Sequence, residues 1–240
     1  MKDVRRGFVL EDEKEFFTHS SYMKLKQAQK DLLFLIERKY PMKSASTFVG
    51  NHYMLSERQR LALVRATTTN ELVKLRKEKE LTTLQDKTVS IDGFNLIITL
   101  EVALSSSTLI LCMDGTFRDL AGLRGTYRII EKTDLAIILI GEQLKELGIK
   151  KAIFYLDSPV SNSGRLKTRI IELLENYPFQ IEVNLVVNAD VILEKEAMVI
   201  TSDAIILNKC ASWYNILPII INKKMKEIRF INLQRTDSDE

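Results

Sequence analysis

Residues that break or punctuate a chain are scarce in these 240 positions: there are nine glycines, four prolines, two cysteines and one tryptophan. A sandwich or barrel needs many tight turns, so this scarcity argues for an α-rich or α/β protein instead. Cys112 and Cys210 stand far apart and outside any CxxC or Cys/His cluster. That excludes a disulfide framework and a zinc site and predicts two buried free thiols. Long apolar runs are absent too. Leu135–Ile140 is among the longest at six residues, against roughly 20 for a membrane span. Met1-Lys-Asp-Val-Arg-Arg leads into the acidic Glu11–Glu15 without an apolar signal core, so a cytoplasmic location is expected. Neither a nucleophile-elbow serine nor a P-loop occurs, which removes α/β-hydrolase and Walker-type ATPase chemistry.

What remains is 45% hydrophobic and 28% charged, the balance of a globular chain. The net charge of +3 names no partner, but its distribution is uneven. Residues 1–85 carry 17 Lys+Arg against 11 Asp+Glu, and residues 86–240 carry 18 against 21. A basic front suits contact with nucleic-acid phosphates and an acidic back suits a metal; solvated helices show the same asymmetry.

Between Glu13 and Tyr40 the residues Leu25, Ala28, Leu32, Leu35 and Ile36 recur at spacings of three and four, which predicts an amphipathic helix ended by Pro41. A second helix is expected from Ser44 to Gly50, and a third from Ser56, where Ser56-Glu57-Arg58-Gln59 fits a capping box. The charged stretch after Thr69 reads as a linker or connecting helix. Beyond it, short apolar runs at Thr88–Ile91, Thr108–Cys112, Ala152–Leu156, Ile181–Val187 and Met198–Thr201 alternate with helical stretches such as Glu131–Leu147 and Arg165–Asn176. That alternation predicts a parallel sheet with crossover helices. The expected organisation is a helical domain over 1–70, a linker over 71–87, an α/β domain over 88–233 and a frayed tail over 234–240.

In an open α/β sheet, ligands gather beyond the carboxyl ends of the strands. Asp92, Asp114, Asp157 and Asp203 each follow an apolar run, and Asp190 lies just past a fifth. Each could serve only as a helix N-cap. Five on one edge would repel unless a cation is shared, and Mg²⁺ or Mn²⁺, which prefer carboxylate and water oxygens, fit that need. Such a site can hydrolyse phosphodiesters without a nucleophilic side chain. Ser161-Asn162-Ser163-Gly164-Arg165 reads as a phosphate-binding helix start or as a plain cap. Asn95 orients Asp92 or a metal-bound water through its amide, or caps the first helix, and Arg118, Arg124 and Arg128 either grip a substrate backbone or pair with nearby acids. In the helical domain, Arg58, Arg60 and Arg65, with Lys24, Lys26 and Lys30, suit nucleic-acid phosphates; a partner or dimerisation surface suits the same helices.

Asp92-Gly93-Phe94-Asn95 after a strand, Asp157 closing a later one and Thr201-Ser202-Asp203 closing another resemble the PIN/NYN-like nuclease superfamily over roughly residues 86–221. The stretches Val49–Arg58, Met113–Gly122 and Leu156–Arg165 resemble an uncharacterised prokaryotic family in which a helical domain of unknown function precedes a PIN-like domain. The resemblance implies a PIN-like, Rossmann-like α/β fold and a Mg²⁺/Mn²⁺-dependent nuclease preferring RNA. Asp92, Asp157 and Asp203 match its metal-binding acids. Asp114, Asp119, Asp190, Glu131 and Asp134 compete for a fourth place. Asn95, Arg118, Ser161, Asn162, Ser163, Arg165 and Ser202 are the candidate substrate contacts. The alternatives are a catalytically silent nucleic-acid- or protein-binding relative and a phosphatase, against which the Asp-x-Asp pair is missing at Asp92 and Asp114.

Overall fold

A computed structural model of the chain describes residues 4–122, 125–225 and 228–234. The N-terminal region is helical: α1 (Asp12–Phe16), α2 (His19–Glu37), α3 (Met42–His52), α4 (Glu57–Ala66) and α5 (Asn70–Lys79). The single helix expected from Glu13 to Tyr40 is broken near Thr18, whose hydroxyl accepts from the Ser21 amide and restarts the chain as α2. Pro41 separates α2 from α3 and sits at the N-cap of the latter. The capping box at Ser56 and Gln59 forms as expected and starts α4.

The α/β part runs β1 (Thr88–Asp92), α6 (Gly93–Leu104), β2 (Leu109–Leu111), β3 (Phe117–Asp119), α7 (Glu131–Glu146), β4 (Lys151–Asp157), α8 (Ser163–Leu174), β5 (Gln180–Val186), α9 (Ala189–Leu193), β6 (Val199–Ile200), α10 (Ala204–Lys209), α11 (Ile216–Lys224) and β7 (Phe230–Asn232). Four strands form a wholly parallel sheet in the order β5-β4-β1-β6. In this register Asp92 stands opposite Tyr155, two positions before the end of β4. β2 belongs elsewhere. It pairs antiparallel with β3 and parallel with β7 in a second sheet ordered β3-β2-β7.

That second sheet completes the helical region. Leu25, Leu32, Val49 and Leu63 from the helices share one core with Ile110, Cys112, Leu120, Ile231 and Leu233. Short helical units rarely bury their apolar faces alone, and this one closes on a sheet instead. Helix α6 packs on both sheets. Its residues are apolar nearly all round, as a helix with no solvent face must be. The buried Glu101 within it is satisfied by Arg6, Tyr127 and Thr133. Cys112 and Cys210 are buried free thiols, as expected. No helix among the described residues is long and apolar enough to cross a membrane.

Candidate functional site at the carboxyl edge of the parallel sheet

Four of the five strand-end aspartates reach one edge. Asp92 ends β1, Asp157 ends β4, Asp190 lies in α9 directly after β5, and Asp203 follows β6. The chain enters α6 at once after β1. Asp92 is the N-cap, its Oδ1 accepting from the Asn95 amide at 3.4 Å. Gly93 permits this tight passage: a Cβ there would lie 2.6 Å from Leu156 Cδ2 and 3.1 Å from the Tyr155 carbonyl oxygen. Asp92 is buried, and its Oδ2 accepts from Thr201 Oγ1 at 2.8 Å. Thr201 Oγ1 in turn accepts from the Asp203 amide at 3.0 Å.

Asp203 caps α10 through Oδ1, which takes the Ile205 and Ile206 amides at 2.7 and 3.2 Å. Asp157 Oδ1 accepts from the Ala189 amide at 2.8 Å and ties β4 to the start of α9. The second oxygens of Asp157 and Asp203 accept no hydrogen bond from the described residues. The Asn95 side chain turns to Ser202 and not to Asp92: Oδ1 accepts from both the amide and the hydroxyl of Ser202, each at 2.9 Å. Thus β1 and the loop after β6 are sewn together by side chains.

The electrostatics of this edge are those of crowded anions. Burial pushes the Asp92 carboxyl up to about 7, and Asp203 and Asp190 push the same way, against the hydrogen bonds from Thr201 and Asn95. Asp190 is also raised, by burial and then by Asp203, Asp157 and Glu194. Asp190 thus sits within electrostatic reach of the other three acids. Among the described residues, however, no three His, Cys, Asp or Glu side chains stand close enough together to hold an ion.

Asp114 requires a correction. Because β2 lies in the second sheet, Asp114 does not join this edge. Its carboxylate is buried between the guanidinium groups of Arg76 and Arg118 and accepts from Thr116 Oγ1 at 2.7 Å. Burial alone would raise its pKa, but Arg118, Thr116 and Arg76 outweigh it and hold it below the usual carboxylate range. Asp119 is likewise engaged. It accepts from the Ala121 amide at 2.7 Å and from Thr99 Oγ1, with Arg65 at 3.6 Å. Asp134 forms a two-pronged pair with Arg169, at 2.7 and 2.6 Å.

Arg118 is no substrate contact either. It is buried, and its Nε donates to the Ser202 carbonyl at 2.7 Å while the rest of the guanidinium meets Asp114 and the Arg65 carbonyl. Charge buried in this way is committed to its partners. It positions the loop that carries Asp203. Arg76, in the stretch expected to be linker, joins it and donates to Ala204 O at 3.4 Å. Nothing in the local pattern of α5 singles Arg76 out.

The polar loop before α8 is also spent internally. Ser161 Oγ accepts from the Tyr127 amide at 2.9 Å, Asn162 Nδ2 donates to the Tyr127 carbonyl at 2.6 Å, and Ser163 Oγ donates to the Ser158 carbonyl. Ser161 and Asn162 thereby hold the segment around Tyr127, whose ring meets Phe94 at the start of α6 edge-on at 5.2 Å. Arg165 remains exposed on the first turn of α8, and Arg124 and the tail after Gln234 lie outside the described residues. The arginines of α4 do not present a free basic face: Arg58 pairs with the buried Asp12, Arg60 bonds Asn51 and the Leu55 carbonyl, and Arg65 bonds the Asp119 carbonyl.

Helices, then a parallel-sheet α/β unit with an acidic carboxyl edge, define the class of this protein. Residues 81–218, more than half the chain, match the family described as a domain of unknown function (DUF5616), and the chain belongs to it. Residues 24–79 match a second description, protein of unknown function (DUF434). The boundary between the two matches falls just after α5. An uncharacterised protein of Methanocaldococcus jannaschii is 40% identical over 187 residues, covering 77% of this chain and 89% of that relative. No solved structure matches.

Proposed function

We propose that the α/β unit is PIN-like and that the protein is a metal-dependent nuclease, with RNA preferred over DNA. The observation that supports this reading is the repulsion at the sheet edge: Asp92, Asp157, Asp190 and Asp203 arrive from four neighbouring strands, burial with Asp203 and Asp190 raises Asp92 to about 7, and Asp203 and Asp157 help raise Asp190. An edge built only from helix caps has no need to bring four carboxylates within electrostatic reach.

Mg²⁺ or Mn²⁺ fits the donor set, which is hard carboxylate oxygen with open second oxygens on Asp157 and Asp203. When bound, the ion would polarise a water and neutralise charge on the scissile phosphate. The chain's own residues do the rest. Asn95 and Ser202 lock the β6–α10 loop, Thr201 holds Asp92 and Asp203 in register, and the Asp114–Arg76–Arg118 cluster braces that loop from beneath. Burial raises the Asp92 carboxyl in the absence of the ion, and a cation at this edge would favour its ionised form.

The test is cleavage of single-stranded RNA in Mn²⁺ by purified protein. Loss of cleavage in Asp92→Asn and in Asp203→Asn supports the reading, and unchanged activity in both sinks it. That no three acids among the described residues close on one point favours a catalytically silent binding protein as the second reading. Absence of Mn²⁺ binding at millimolar concentration in a calorimetric titration would decide for it.

A further inference from the structure

We propose that the outward face of α2 and α3 is a docking surface for single-stranded nucleic acid, separate from the acidic edge. Helix α2 turns Leu25, Ala28, Leu32 and Ile36 inward and leaves Phe34 outward, 55% exposed. Phe48 on α3 is 68% exposed, and Tyr40 between the helices is exposed as well. Large aromatic rings left in water side by side are unusual unless something covers them. Lys30, Phe34 and Arg38 share one stripe at spacings of four residues, and the Arg38 guanidinium stacks 3.5 Å above the Phe34 ring.

Phe34 is a ridge between two clefts. One, of about 340 Å³, is lined by Phe34, Phe48, His52 and Tyr53. The other, of about 310 Å³, is lined by Phe34 with Lys26, Lys30, Arg38 and Asn70. The two carboxylates in these clefts, Asp31 and Glu37, accept from Tyr53 OH at 2.6 Å and from the Asn70 amide at 2.7 Å and keep their negative charge, but the cations around them outnumber them. The surrounding charge is basic, with Lys30, Arg38, Lys39 and Lys43 on the exposed side of the two helices.

This combination discriminates among occupants. Unpaired bases offer flat π faces to Phe34 and Phe48 while their phosphates meet the cations, and a duplex hides those faces. A second copy is disfavoured by symmetry. A twofold axis through the Phe34 ridge would bring the Lys30–Arg38 stripe of one copy onto the same stripe of the other, and like charges repel. The proposal rests on the nucleic-acid reading above for its purpose, but binding is measured without turnover.

The experiment is fluorescence anisotropy with the full chain in chelator, using labelled oligouridylate and oligothymidylate of about 12 nucleotides, within the usual site sizes of single-strand binders, and a duplex of equal length. The expected result is single-strand binding that weakens as salt rises, falls roughly tenfold in Phe34→Ala and in Phe48→Ala, and falls further in Arg38→Glu. Failure of cleavage with anisotropy retained would leave this surface standing and remove the catalytic reading.

No binding by the wild type at low salt, a preference for the duplex, or equal affinity in all variants overturns the proposal. So does a concentration-dependent dimer in sedimentation that Phe48→Ala abolishes, since it assigns the face to a second copy. Should Phe34→Ala unfold, the exposed Arg38→Glu and Lys43→Glu carry the same test.

Discussion

Replacing Asp92 by asparagine should remove a pH dependence from folding. Asp92 is almost wholly buried, and its carboxyl is raised from 3.8 to about 7 by burial, Asp203 and Asp190. A group that holds its proton more tightly in the folded than in the unfolded state stabilises the fold at low pH. Below about pH 4 it is protonated in both states and its contribution is fully present. Between about pH 4 and pH 7 the unfolded chain releases the proton and the native chain keeps it, so stability declines as pH rises.

At ~1.36 kcal/mol per tenfold change in proton affinity, the decline approaches about 4 kcal/mol. This is a ceiling, because water entry and rearrangement of Asp190 and Asp203 relieve part of it. Asparagine keeps the shape and the cap oxygen but carries no charge. Urea unfolding in chelator, with wild type and Asp92→Asn compared at several pH values, measures the effect. The variant should gain on the wild type by ~2–4 kcal/mol on passing from acid to slightly alkaline solution, with most of the change completed near pH 7. Added Mn²⁺ should restore the wild type alone. Parallel stability curves for the two proteins across that range would refute the idea that Asp92 is desolvated among anions.

Asp114→Asn leaves Arg76 and Arg118 buried without their counter-charge, and breaking a buried pair from one side costs about 3–5 kcal/mol. For a chain of this size the melting temperature should fall by roughly 6–20 °C, which differential scanning calorimetry reads directly. A melt within a degree or two of the wild type would mean that the cluster braces nothing. Gly93→Ala places a Cβ against Leu156 and the Tyr155 carbonyl, where backbone cannot yield cheaply, and should cost about 1–3 kcal/mol in chemical denaturation. Equal midpoints would show that α6 does not approach β4 so closely.

Much of the fold could be read from period alone, because strand runs and helix caps are local. The five apolar runs are all strands, and Ser56 and Gln59 close their box where the pattern puts it. Partnership between strands is another matter. Nothing in Leu109–Leu111 says that it pairs with Phe117–Asp119 and Phe230–Asn232 instead of β1, and each of those two strands is too short to show alternation. The misplacement of Asp114 follows from that one ambiguity. At the site, strand ends point to Asp92, Asp157, Asp190 and Asp203 because a carboxyl terminus in a parallel sheet has a fixed edge. The cluster of Arg76 with Asp114 joins residues 38 apart through tertiary packing, which spacing does not encode.

β7 lies near the carboxyl end of the chain, yet it runs beside β2 and offers the Asn232 and Leu233 carbonyls to Tyr22 and Gln29 of α2. During synthesis, then, α2 to α4 leave the ribosome well ahead of β7, and their apolar side is sealed only when that strand has followed. A nascent chain halted before β7 would hold α2 to α4 over a gap at Ile231 and Leu233, exposed to chaperones and proteases until that strand emerges.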